Sequence, residues 1–373
     1  VNVQENFWFS VLGKVIVVLF YIVIFWAFLQ LPALLNWFSP RKTINVCCFT
    51  ETFSPEAIER FEKETGIGVN LTYAEIDEQI YAKFRINDGK DYDVVNLSDF
   101  MIDILRDQDL LYPLEKEKLN NQKNIDPRLT GHAYDENNAF CMPHKWYVYG
   151  LAYDKAFFKR VPEEMSLDFV FKNPKELHRA GAVPFEYKLS MLDDGRDALF
   201  LAAIYLFGGV DRFDSQAFEQ IGKLLIAQKK WVEVYTVHSA EYFLFSGVTP
   251  IALMSSNYMR KILDKTDRFE FAIPKEGTSL IIENLAIPKK SEKIEYAHKF
   301  INFMLSDEIA AINCKAYGYN SSNKNTYHLM DQNKSDNKHL LPDDKIFKRL
   351  FVPLLPVSVK KTLDDLWLAV EFA

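Results

Sequence analysis

The chain lacks a basic surplus: 44 Lys and Arg stand against 51 Asp and Glu, a net charge of −7 and a pI near 5.6. A nucleic-acid partner needs a basic face, so that class is excluded. Catalytic signatures are missing too. The seven histidines are scattered, with no H-E-x-x-H, no G-x-S-x-G and no phosphate-binding glycine loop; Gly208-Gly209 is an isolated pair. No enzyme, no metal site and no cofactor is expected. The four cysteines offer no C-x-x-C spacing, since Cys47 and Cys48 are adjacent while Cys141 and Cys314 stand alone. Buried thiols are the simplest reading, with a bridge between distant cysteines open in an oxidising compartment. Lipidation of Cys47 is disfavoured by Val46 just before it, where a small residue would be expected.

Charge is absent altogether from Val15 to Pro40, and Val15 to Leu29 is unbroken apolar or aromatic sequence. Roughly 20 apolar residues cross a hydrocarbon core of about 30 Å. The run is long for a signal peptide and has no A-x-A site, so residues 1–42 are expected to be an uncleaved N-terminal transmembrane anchor, with a cleaved signal as the alternative. Lys14 before the span and Arg41-Lys42 after it oppose an outward-facing body, although large domains translocate regardless of such charges.

Beyond the anchor, strand and helix patterns alternate. Ile44 to Cys48 reads as a buried strand, and Ser54-Pro55 opens a helix that carries Ile58 and Phe61 and ends at Gly66. Val69 to Tyr73 is strand-like; Ile76, Ile80 and Phe84 mark an amphipathic helix; Tyr92 to Leu97 is a third strand, followed by a helix bearing Phe100, Met101, Ile104 and Leu105. This rhythm implies an α/β fold with a mainly parallel sheet. Residues 140 to 153 read as extended, and a second α/β series follows: a helix from Leu199 to Phe207, strands near 231–237, 251–254, 269–273 and 281–287, and a helix with Ile294, Ala297 and Ile301. The polar stretch from Ser321 to Lys338 reads as a solvated loop, and 356–373 as a helix. Two α/β series suggest two lobes with a ligand cleft between them, because open α/β sheets bind ligands beyond the carboxyl ends of their strands.

Several segments resemble one family in order. These are Phe61-Glu-Lys-Glu-Thr-Gly-Ile, Tyr81-Ala-Lys, Tyr92-Asp-Val-Val, Met142-Pro143 with Trp146, Asp193-Asp-Gly-Arg-Asp197, Pro274-Lys-Glu-Gly277, Asn284-Leu-Ala-Ile-Pro288 and Gly318-Tyr319. Together they resemble the spermidine/putrescine-binding proteins of bacterial polyamine ABC transporters, over about residues 44 to 325. The resemblance implies the two-lobe periplasmic-binding-protein fold, its first lobe built from 43–148 plus 282–325 and its second from 149–281 plus 326–373. It also implies a small cationic ligand, permease and ATPase partners, and a body in the periplasm, held here at the inner membrane by the N-terminal helix. A membrane-anchored sensor of the same fold, or a binding protein for a non-polyamine solute, is the alternative.

The family's binding residues map unevenly. Its cage segment reads Phe49-Thr50-Glu51-Thr52 here, with a ring lost at Thr52, and its Ser-Thr-Tyr loop reads Ser98-Asp99-Phe100. The terminal-amine acids correspond to Asp194 and Asp197, the central carboxylate to Glu283 and the cage tyrosine to Tyr319, while two tryptophans become Ser255 and Ile281. A ring face over an ammonium contributes about 0.5 to 2 kcal/mol, so three lost rings shift specificity unless the added acids Glu51 and Asp99 offset them. Other roles stand beside these. Asp193 or Asp194 can cap the helix that follows, Asp197 is a favoured first-turn acid, and Phe49, Tyr319 and Trp146 can serve as packing aromatics. Glu283 interrupts an apolar run, where a lone carboxylate is costly unless it is paired or faces a cleft.

Overall fold

A computed structural model describes residues 14–29, 42–158, 162–236, 239–326, 340 and 342–373. Strand β1 (Thr43–Phe49) lies between β2 (Gly68–Ala74) and β3 (Val94–Ser98), parallel to both. Helices α1 (Pro55–Thr65) and α2 (Asp77–Arg85) make the crossovers, and α3 (Asp99–Asp107) follows β3. The start of α1 is written locally: the Ser54 side chain accepts from Ala57 N, and Pro55 occupies a first-turn position that needs no N–H. Along β1, Ile44, Val46 and Cys48 face a core with Phe61 and Phe300, whereas Cys47 points to the opposite core with Ile80, Phe84 and Leu97. That is the period-two alternation of a strand covered on both faces.

Two long strands tie the halves together. β4 (Cys141–Asp154) pairs antiparallel through its first half with β9 (Thr278–Ala286), and through its second half with β7 (Ile251–Ser255) and β8 (Phe269–Ala272). β9 also pairs antiparallel with β3. Beyond β7 lie the parallel strands β5 (Leu189–Met191) and β6 (Val232–Tyr235), giving the order β2-β1-β3-β9-β4-β7-β5-β6. The sheet is therefore mixed, not mainly parallel. The crossing strands β4 and β9 must run against their neighbours to pass between the halves.

The second half is covered by α4 (Gly195–Phe207), α5 (Ser215–Gln228), α6 (Ser256–Leu263) and the tail helix α9 (Lys360–Phe372); α7 (Ile294–Met304) and α8 (Asp307–Tyr317) flank the first. Residues 198 to 204 of α4 are all buried, as suits a helix apolar on every side. Trp367 of α9 packs so close to the start of α4 that a Cβ on Gly195 would lie 2.6 Å from its ring, so only glycine fits there.

Other expectations change. Ile76 lies before α2 and is exposed, because the helix begins only at Asp77. Ser321, Ser322, Asn323 and Thr326 are buried rather than solvated, because β10 (Asn320–Ser321) pairs with β4 and Asn323 Nδ2 donates to Leu305 O and Asp307 Oδ1. The rest of that stretch, 327–339, lies outside the described residues. Residues 14–29 form a helix with every residue exposed, but no helix among the described residues is long and apolar enough to cross a membrane. The remainder of the expected span, 30–40, lies outside the described residues. All four cysteines are free and buried, so the disulfide alternative is not realised here, and Cys47 sits inside the sheet.

Candidate functional site

A cleft of about 970 Å³ opens where the carboxyl ends of β1, β2 and β3 face those of β5 and β7, floored by β4 and β9. Strand-to-helix turns deliver most of its polar groups, as the geometry of open α/β sheets requires. Of the residues singled out in the sequence, Phe49, Thr50, Glu51, Ser98, Asp194, Asp197, Ser255, Glu283 and Tyr319 all line it.

Asp99 does not. It is fully buried at the start of α3, where Oδ1 accepts from Phe100 N (2.7 Å) and Oδ2 from Ile282 N (3.0 Å). It ties α3 to β9, and burial raises its pKa to about 6. The residue after β3 already belongs to the helix and turns inward, while its neighbours Ser98 and Phe100 reach the cleft.

Several aligned residues also do local structural work. Asp194 caps α4, its Oδ1 accepting from Asp197 N (2.9 Å), and Ser255 caps α6, its Oγ accepting from Tyr258 N (3.5 Å). Tyr319 is buried, and its hydroxyl donates to Thr52 O (2.9 Å). Glu51 adopts a left-handed φ of 57°, uncommon for a residue with a Cβ. Its carboxylate meets Lys261 of α6 at 2.6 Å, so the contact joins the two sides of the cleft mouth.

The floor holds the most instructive feature. Ser98, Glu283 and Lys145 stand opposite one another on β3, β9 and β4, so their side chains share one face of the sheet. The register slips between Pro143 and Lys145, a bulge at His144 that aims Lys145 into the cleft. Lys145 Nζ lies 3.0 Å from Glu283 Oε2, with both side chains 7% exposed. The approach is off the angle of a good hydrogen bond, so Oε2 keeps acceptor capacity. Burial raises the Glu283 pKa, and Lys145 pulls it back. The inner charge that Glu283 meets is thus supplied by this chain.

Asp77 completes the acidic wall. It lines the cleft, receives Ser98 Oγ at Oδ2 (2.6 Å) and Ser98 N at Oδ1 (3.0 Å), and burial still lifts its pKa to about 7. Asp197 also rises to about 7, through burial and the neighbouring Asp194, against the pull of Arg196. Arg196 spans these groups: Nη2 is 3.5 Å from Asp197 Oδ1, and Cζ lies 3.7 Å from the centroid of the Phe100 ring. Arg196 Nη1 and Asn257 Oδ1, both from cleft-lining residues, are buried and make no hydrogen bond within the protein. Among the described residues, no group of three or more His, Cys, Asp or Glu is placed to hold a metal ion.

The model of the family described as bacterial extracellular solute-binding protein matches residues 56–341, well over half the chain. The chain belongs to that family. This solute-binding protein is 27% identical to the putrescine-binding periplasmic protein SpuD of Pseudomonas aeruginosa over 350 residues, covering 89% of this chain and 92% of the relative. It is 26% identical to the spermidine/putrescine-binding periplasmic protein of Escherichia coli, covering 83% of this chain and 85% of that one. Among solved structures, a spermidine/putrescine ABC transporter substrate-binding protein, PotD, from Streptococcus pneumoniae superposes with a TM-score of 0.77 at 25% identity, covering 89% of this chain and 99% of that one. The two-lobe periplasmic-binding-protein fold is thereby shown, and these relatives are transport proteins rather than enzymes.

Sequence reasoning overlooked Lys145, Asp77, Arg196 and Tyr147 of the solute-binding protein's cleft. Lys145 and Tyr147 sit on one face of an extended stretch at alternate positions, a signal that was present but has no direction without knowledge of the bulge. Asp77 stands in the acidic Glu75-Ile-Asp-Glu78 segment, which marks a helix start equally well.

Proposed function

We propose that this protein is the membrane-tethered solute-binding component of a bacterial ABC importer for a small polyamine-type cation, handing its ligand to a permease and ATPase. The observation that carries the reading is the cleft. Asp77, Asp194 and Asp197 converge there with Glu283, which Lys145 already pairs, and with the rings of Phe49, Tyr147 and Tyr319. A polyammonium ion loses hydration on entering such a site, and each charge needs a carboxylate or an aromatic face in exchange. Phe49, Thr50, Glu51, Ser98, Asp194, Asp197 and Ser255 are its proposed direct contacts, while Glu283 and Tyr319 face it from around the Lys145 ammonium. The lobes 43–148 plus 282–325 and 149–281 plus 326–373 would close about β4 and β9 around the ligand.

The proposal extends to location. The charge-free run from Val15 to Pro40 anchors the chain in the inner membrane, with the body in the periplasm. The chain should then stay with membranes through carbonate extraction, and a mature form beginning near residue 40 would show cleavage instead. For the ligand, a thermal-shift panel of diamines, triamines, amino acids, sugars and metal ions is decisive, because a ligand that binds only the folded state raises its melting temperature. Stabilisation by amines alone supports the reading; stabilisation by a sugar or an acidic solute, with none by amines, refutes it.

A further inference from the structure

The ammonium group of Lys145 is held as a ligand ammonium would be. Its Nζ lies 3.0 Å from Glu283 Oε2, donates to Thr52 Oγ1 at 3.3 Å, and stands 5.2 Å from the centroid of the Tyr319 ring. A carboxylate, a hydroxyl and an aromatic face around one nitrogen form a complete ammonium site. The arrangement is built into the backbone, since the bulge after Pro143 puts Lys145 directly across from Glu283 on the neighbouring strand. Tyr319 is itself fixed by its hydroxyl bond to Thr52 O, so the ring face does not turn away.

We propose that Lys145 is a specificity residue that permanently fills the inner ammonium site of the cleft, so that the protein takes a short linear diamine in preference to triamines and tetraamines. The inference rests on the cation-binding reading above and sharpens it to a ligand class. A longer polyamine lying across the cleft would bring a middle ammonium toward a cage already holding a positive charge, and like charges at such a buried site repel strongly. A diamine needs only the acids left over. Asp193 and Asp194 flank the start of α4, and Glu75 and Glu78 flank Asp77 on the opposite wall. The other positive groups lining the cleft are Arg196, engaged with Asp197 and Phe100, Lys261, engaged with Glu51, and Lys360 at the start of α9. None of the three is paired with Glu283.

The test compares the full chain in detergent with Lys145→Met by calorimetric titration of 1,4-diaminobutane and spermidine. The parent should bind the diamine more tightly than the triamine, and Lys145→Met should shift the triamine-to-diamine affinity ratio toward the triamine by at least about tenfold. Lys145→Gln, which keeps a polar side chain at this position without the charge, should shift the ratio the same way and serves if the methionine variant does not fold. Adding Glu283→Gln to either variant removes the vacated carboxylate and should bring the ratio back toward that of the parent. A ratio unchanged within about threefold in folded Lys145→Met or Lys145→Gln overturns the proposal while leaving the cation reading intact. Absence of amine binding in the folded parent and in both variants overturns the cation reading itself, and this inference with it.

Discussion

Lowering the pH from 8 to 6 should weaken amine binding steeply. Asp77 and Asp197 are buried in the cleft wall, and burial raises both carboxyl groups to about 7. A group with that pKa is about 90% ionised at pH 8 and about 10% ionised at pH 6, and an ammonium ion pairs only with the ionised form. Each group coupled to the ligand therefore costs about tenfold in affinity over these two pH units, about 1.4 kcal/mol, and both together cost up to about a hundredfold. An alkylammonium ligand stays charged throughout, with a pKa near 10, so it adds no titration of its own. The sign is unambiguous: the bound cation stabilises the ionised carboxyl, lowers its pKa and drives out a proton. Titration calorimetry at pH 6, 7 and 8, in two buffers of different ionisation enthalpy, reads both the affinity and the protons released. Affinity flat across this range, or tighter at pH 6, would refute the electrostatic coupling of these two carboxyls to the ligand. Melting temperature is the poorer readout. The two aspartates add a stability term that is full below about 4 and lost as pH rises through about 7. His144, which burial holds down at about 3, adds the opposite one, present above its unfolded pKa near 6.5 and lost as pH falls.

Two further expectations concern the scaffold. Gly277 has φ of 103°, and a Cβ there would lie 2.3 Å from Arg349 O, so Gly277→Ala should destabilise the body by more than about 1 kcal/mol in denaturant titration; an unchanged midpoint would contradict the tight approach of 349–351 to β9. The thiols of Cys47, Cys48, Cys141 and Cys314 are buried and their pKa values lie above the ordinary range, Cys47 at about 11 and Cys48 at about 12, so none should react with an alkylating reagent at pH 8 until the protein unfolds; mass spectrometry counts the adducts.

What could be read from the sequence follows the range of the forces involved. The first lobe's β1, α1, β2 and α3 announce themselves through local periodicity and caps such as Ser54-Pro55, because each element's inner face is written within a few residues. The mixed sheet was not legible, since strand direction depends on how β4 and β9 thread between halves far apart in sequence. Helices α5, α6 and α8 also went unread. Asp214 and Ser255, which cap α5 and α6, were nonetheless local signals of both helix starts. At the site, nine aligned residues reach the cleft, but alignment is silent about partners. Asp99 turns inward because helix geometry fixes its direction, and Glu283 meets Lys145 because a bulge changes which side chain of β4 faces the cleft. Both outcomes are decided by backbone detail that no spacing rule records.

The most direct measurement of the central claim is a crystal structure of the protein grown with 1,4-diaminobutane. The account expects the diamine within the cleft, with at least one terminal nitrogen in hydrogen-bonding distance of the carboxylates at the start of α4, Asp193, Asp194 or Asp197, and with Lys145 still against Glu283. A diamine bound elsewhere on the surface, or a cleft that excludes it at saturating concentration, would contradict a cation-binding function for this site.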